Sequence, residues 1–242
     1  MLPKYTLEKI KFATDAPTFG KATEIYEDGK VTKFKEDLGG YFAVVIGTQP
    51  YNVYVSKNHY DQGSCDCYLG QHEVLCKHMV AAAIFAVMGG KELSSENKQP
   101  VGGPICSNKL GELSKSDLSD IKREITSAMK YIKAYSGPSK KWFAYQDALT
   151  EGCARLSKII SELPISKQTA RILIDLLLRL DKKLCCGGVD DSDGTVGGFI
   201  QETVIMLQKY AKLCPECKNV FKVLQNQETC FGWEESLIMP IK

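Results

Sequence analysis

Apolar and polar positions alternate along residues 22–57, the first regularity the chain offers. In "ATEIYEDGKVTKFKE" the alternation runs up to and away from Asp28-Gly29, a pair suited to a tight turn because glycine tolerates the positive φ such a turn demands. "YFAVVIG" and "YNVYVS" follow, rich in β-branched and aromatic residues and divided by Thr48-Gln49-Pro50. The pattern predicts a three- or four-stranded antiparallel meander over residues 22–57. A sheet that small needs a cover for its apolar face. The helix expected from about Leu75 to Met88 supplies one, with Met79, Ala82, Ala83 and Val87 as a continuous apolar surface and Gly89-Gly90 as its end. Ahead of the sheet, residues 4–13 (KYTLEKIKFA) read as a short helix with Leu7 and Ile10 on one side.

The period changes further along. Residues 89–115 are dense in Gly, Ser, Pro and Asn and read as a linker or long loop. Beyond them Leu118, Ile121, Ile125, Ala128 and Ile132 make a helical stripe behind a capping box at Ser114 and Asp117. Trp142, Tyr145, Leu149, Leu156, Ile160 and Leu163 make a second, stopped by Pro164. Ser166 caps a third helix through Leu184, "GGVDDSDG" breaks it, a fourth spans about 195–212, and Pro215 suits the first turn of a fifth. The expectation is an α+β protein: a small antiparallel β-meander with a covering helix, followed by an all-α antiparallel helical domain. The expected divisions are 1–90, a linker over 91–115, and 116–242.

Composition changes this picture little. With 31 Lys+Arg against 29 Asp+Glu the net charge is +2. Residues 1–90 carry 9 basic and 10 acidic side chains, residues 91–189 carry 17 and 11, and the rest 5 and 8. A mildly basic middle without dense clusters is not the mark of a strong nucleic-acid binder. Met1-Leu2-Pro3-Lys4-Tyr5 runs straight into charged residues, with no apolar leader. The longest uncharged apolar run, Met79 to Gly90, falls short of the ~20 residues a membrane span needs. A cytoplasmic protein is expected, whose ten cysteines are reduced thiols or metal ligands.

The chemistry concentrates in "SCDCYLGQHEVLCKHMVAAA", residues 64–83. Cys65, Cys67, Cys76 and His78 are four soft ligands, the number a structural zinc ion takes in a tetrahedral shell. Cys65 and Cys67 flank one residue and can both turn toward one ion from an extended loop. Within a helix, Cys76 and His78 would point to nearly opposite faces. Cys76 is therefore expected at or just before the helix start, with His78 in the first turn. The alternative, thiols buried as small hydrophobes, fits poorly with the polar neighbours Gly63, Ser64, Asp66 and Lys77. His59 and His72 are the other histidines available as a fourth ligand.

C-x-C-x8-C-x-H behind a β-meander, with "CKH" opening an apolar helix, resembles the SWIM zinc finger; the likeness runs over roughly residues 20–88. The resemblance implies one structural Zn2+ held by Cys65, Cys67, Cys76 and His78. It also implies a DNA- or protein-binding role, since such fingers accompany helicase-type ATPases, Mutator-type transposases and some signalling kinases. The chain itself carries no P-loop, paired helicase signature or kinase motif. A helicase- or transposase-type enzyme would therefore be met in trans.

Other features are weaker. Cys214-Pro-Glu-Cys217 has metal or redox spacing and, with Cys185 and Cys186, would complete a second four-thiolate site; its apolar neighbours suit a helical stripe as well. The loop 187–198 lacks a P-loop lysine and has Val189 and Ile200 where a calcium loop needs ligands, so it is expected to join helices, with Asp193 capping the next. Lys140-Lys141-Trp142-Phe143 combines charge and aromatics as a nucleic-acid surface does, although Trp142 also heads an apolar stripe. No histidine lies beyond residue 78, and no nucleophile–base pair is legible. The expected function is non-catalytic: zinc-stabilised binding of a protein or DNA. The alternatives are a nucleic-acid-binding accessory factor to such an enzyme, or an enzyme in the helical half.

Overall fold

The computed structural model describes residues 3–138, 141–225 and 227–239 and divides the chain into two compact units, meeting between Val101 and Gly102. Each unit has its own hydrophobic core.

The first unit opens with α1 (Leu7–Ala13) and α2 (Ala16–Glu27). The sheet follows: β1 (Val31–Glu36), β2 (Gly40–Ile46), β3 (Pro50–Ser56) and β4 (Gly63–Cys65), antiparallel and adjacent in chain order. After it come α3 (Tyr68–Gln71), α4 (Lys77–Met88) and α5 (Ser95–Lys98). The antiparallel sheet with its adjoining helix is as the sequence predicts, but the hairpin about Asp28-Gly29 is not. Those residues end α2. Asp28 N–H donates to Glu24 O, Gly29 takes φ +66°, and Lys30 N–H reaches back to Ile25 O. This is a helix terminus closed by a left-handed glycine. The stretch "ATEIYE" alternates, yet Phe19, Ala22, Ile25 and Tyr26 also fall on one helical face, and that face is buried. Asp15 caps its start through the Thr18 N–H at 2.9 Å, and Pro17 sits in the first turn. Local capping on both sides outweighed a short alternation.

α4 is buried from His78 to Ile84 without an exposed face, because it packs on β2 and β3 on one side and on α1 and α2 on the other. A helix apolar all round is one enclosed on all sides. Fully burying each of Val80 and Ile84 contributes about 1.5–3 kcal/mol, and Ile84→Ala would cost about 2–5 kcal/mol. Part of the glycine- and serine-rich stretch after α4 belongs to this unit: Leu93 is buried, and Lys98 pairs with Glu27 at 2.5 Å.

The second unit is built on α6 (Lys115–Ala128), α7 (Trp142–Ser161), α8 (Lys167–Cys185) and α9 (Thr195–Leu213), then the short α10 (Lys218–Phe221) and α11 (Glu235–Ile238). The predicted stripes supply much of its core: Ile125, Ile132, Leu149, Leu156 and Ile160 are all buried, joined by Leu173 and Leu177 of α8. The Ser114–Asp117 capping box is present, and Ser166 forms another with Thr169. Residues 105–113 run along this unit, with Ile105 N–H on Ser161 Oγ at 2.9 Å and Leu110 bridged to Ile165. Among the described residues no helix is long and apolar enough to cross a membrane.

Candidate metal centre

Three elements deliver the four ligands. β4 pairs Cys65 with Val53 of β3, which places its side chain on the inner, buried face of the sheet. Asp66, the residue between the two cysteines, turns outward and is tied down. Its Oδ1 accepts the Asn52 N–H at 3.0 Å and its Oδ2 accepts the Asn52 Nδ2–H at 2.9 Å. With Asp66 fixed away from the cluster, Cys65 and Cys67 both face into it. Cys67 is the N-cap of α3, and its Sγ accepts the Gly70 N–H at 3.4 Å. Cys76 is the N-cap of α4 and His78 the second residue of that helix, the placement the C-x-H spacing required.

The donor atoms of Cys65, Cys67, Cys76 and His78 lie within 4.8 Å of one another, and all four residues are buried. His78 Nδ1 is 3.8 Å from Cys65 Sγ and 3.9 Å from Cys76 Sγ. A tetrahedral zinc ion with sulfur at ~2.3 Å and nitrogen at ~2.0 Å separates such atoms by roughly 3.5 Å. Both His78 separations are thus within a few tenths of an ångström of those in a zinc cage, and the chemistry fits: three thiols and one imidazole, with no fifth His, Cys, Asp or Glu donor among the described residues. His59 and His72 stay outside it; His72 packs edge-on against Tyr68.

The electrostatics point the same way. The contact between the Cys65 and Cys76 thiols is the largest influence on both. That contact, with His78 and the Met79 N–H beside it, drives Cys76 far below the ordinary thiol range against the cost of burial. The same contact, with burial, raises Cys65. The cluster therefore collects negative charge in a buried place, at the positive end of α4. The Cys67 N–H also points at Cys65 Sγ, at 3.5 Å.

Two partners of the site were not legible beforehand. Tyr51 stacks on the His78 ring, centroids 4.4 Å apart at 27°. Gly47 lies against its far edge: a Cβ there would stand 2.8 Å from Nε2. Both residues sit about thirty positions away in sequence, where spacing carries no signal. For Asp66 and Asn52 a weak one existed, a carboxylate inside the C-x-C and an amide on the neighbouring strand.

The remaining candidates fall elsewhere. Cys185 does not join Cys214 and Cys217. It is disulfide-bonded to Cys230, Cα atoms 5.9 Å apart, which departs from the expectation that the ten cysteines are reduced thiols or metal ligands. Asp181 lies beside that pair and accepts the Cys230 N–H at 2.8 Å and the Trp233 Nε1–H at 3.0 Å. The second four-thiolate site that the spacing left open is not assembled. Cys186 is exposed, and burial, with Cys214 alongside, pushes the Cys217 thiol up to about 12. In the loop 187–198 it is Asp191, not Asp193, that chiefly caps α9, accepting the Val196 and Gly197 N–H groups at 2.7 and 2.8 Å. Asp193 takes the weaker Thr195 N–H contact. Trp142 is half-buried, its indole N–H on Asp190 at 3.1 Å, so it braces this loop. Lys140 and the side chain of Phe143 lie outside the described residues.

The four donors make up the set of a closed Cys3His site. Residues 51–86 match the SWIM zinc finger family, and the chain carries a SWIM zinc finger there. No curated protein and no solved structure matches the chain.

Proposed function

We propose that this chain is a non-catalytic binding protein in which Cys65, Cys67, Cys76 and His78 hold one structural Zn2+ and the surface beside that ion engages a protein partner. Three thiolates and an imidazole fill the tetrahedral shell, leave no open position for water or substrate, and make the ion a poor Lewis acid. What zinc contributes is folding free energy, of order 10 kcal/mol in small fingers.

The observation that carries the reading is the contrast between the two sides of the zinc loop. Every ligand is buried, while Tyr68, Leu69 and Val74, all between Cys67 and Cys76, are 76%, 44% and 48% exposed. Apolar side chains held outward between two metal ligands suit a protein surface. Phosphate backbones need clustered Lys and Arg, and residues 1–90 carry more acidic than basic groups, 10 against 9. Protein is therefore ranked above nucleic acid. The enzymes that SWIM fingers accompany make a helicase-type ATPase, bound in trans, the partner class to look for first. Reduced zinc-binding thiols are typical of a reducing compartment and favour a cytoplasmic location, while the Cys185–Cys230 disulfide weighs against it.

The test is affinity capture by the zinc-loaded chain from its own cell extract, with and without nuclease, alongside Tyr68→Asp/Leu69→Asp. Partners that survive nuclease and are lost with the double variant support the reading. Partners that vanish with nuclease transfer it to nucleic acid.

A further inference from the structure

The second unit carries a groove that plays no part in the zinc site. It lies between α6 and α8 and encloses about 550 Å³. Its floor is aliphatic: Ile125 from α6, Ile172 and Leu176 from α8. Its walls carry Lys122 and Thr126 on one side and Asp175 and Arg179 on the other, two cations against one carboxylate. A second hollow shares Lys122 and Thr126 and extends along the outer side of α6, adding Arg123 and Lys130. The spacing explains the alignment, because positions 119, 122 and 126 rise along one flank of α6 as 172, 175/176 and 179 do along α8, and Lys130 follows just past the end of α6.

The charges are unbalanced. Arg123 pairs with Asp120 on its own helix. Arg179 donates only to a hydroxyl, Thr126 Oγ1, at 3.3 Å. Among the described residues Lys122, Lys130 and Arg179 form no ion pair, and Asp175 is the one carboxylate lining the groove. Long cationic side chains flanking an aliphatic trough present apolar stems below and charge above.

We infer that the α6–α8 groove is a docking site for an acidic amphipathic helix of a protein partner. An aliphatic trough takes the i, i+3/i+4, i+7 side chains of such a helix, and the cationic rims complement carboxylates on its flanks. Nucleic acid fits less well, since no aromatic ring lines the groove for base stacking. The groove shares no lining residue with the zinc loop and goes beyond the function proposed for it.

The probe is a labelled model peptide, helical, with leucines on one face and glutamates on the other, titrated into the full zinc-loaded chain by fluorescence anisotropy. A counterpart with lysines for glutamates and a single-stranded DNA oligonucleotide serve as comparators. The glutamate peptide is expected to bind at least about tenfold more tightly than the lysine one, and to weaken about tenfold in Lys122→Glu/Arg179→Glu. Amide exchange should slow in residues 119–130 and 172–179 when it binds. Both substituted side chains are exposed, and circular dichroism confirms the fold. Equal binding of the two peptides, retention by the charge-reversal variant, or tighter binding of the oligonucleotide to the same residues overturns the inference. Tyr68→Asp/Leu69→Asp should leave the peptide affinity unchanged, so failure here is separable from failure of the zinc-loop reading.

Discussion

The carboxylate of Asp66 grips Asn52 twice, through its main-chain N–H and its side-chain amide, and so pins the centre of the C-x-C segment to β3. The two cysteines on either side inherit their direction from that clamp. Asp66→Ala is expected to lower zinc affinity about tenfold to a hundredfold, the usual cost of losing a residue that orients ligands. Asp66→Asn keeps one acceptor and should lose less. Competition with a chromophoric chelator reads both, and wild-type affinity in the alanine variant would remove Asp66 from the site.

Gly47 and His78 make a second, steric prediction. The imidazole cannot retreat from a new methyl group, because Tyr51 is stacked on its face. Gly47→Ala should therefore displace the ring, lower the metal content of purified protein, and destabilise the first unit by about 1–3 kcal/mol. Gly198→Ala is the control: it lies on an exposed turn of α9 with open space at Cβ. Exchanging glycine for alanine within a helix should there stabilise by up to about 1 kcal/mol.

Metal removal should be felt unevenly. A strong chelator is expected to abolish amide protection across β4, α3 and the start of α4, whose ends are the ligands themselves. The second unit has a separate core, and its protection pattern should persist. Hydrogen exchange with mass readout by peptide distinguishes this from a single cooperative collapse. Unchanged protection over residues 63–80 after verified zinc loss would refute a structural ion.

Cys185 and Cys230 close a loop of 45 residues. The chain-entropy argument puts such a link at about 4 kcal/mol. Cys230→Ser, or incubation with a dithiol reductant, should lower the melting midpoint of the second unit by several degrees while leaving zinc content unaltered. Identical melts under oxidising and reducing conditions would show that the link adds nothing.

Much of this was legible in one dimension because it depends on near neighbours in sequence. The Ser114–Asp117 capping box, the apolar stripes of α6 and α7 and the end of α4 at Gly89 are all decided within a few residues. The ligand set was legible for the same reason: C-x-C and C-x-H are contacts between residues two apart, and helical geometry put Cys76 outside the helix and His78 inside it. Asp28-Gly29 marks where local reading ran out. An aspartate–glycine pair closes a hairpin or a helix equally well. What selected the helix was the burial of Phe19, Ala22, Ile25 and Tyr26.

The sequence alone determined which four side chains have the chemistry to hold zinc, and that helices would fill the rest of the chain. Only the tertiary structure decided that Asn52 anchors Asp66, that Gly47 leaves room for an imidazole, that Cys185 meets Cys230 and not Cys214, and that α6 and α8 leave a trough between them. The physical reason is separation along the chain. Chemistry and helical period are properties of a residue and its near neighbours, whereas these four arrangements join positions from 14 to about fifty residues apart, whose meeting is set by how whole elements bury their apolar faces.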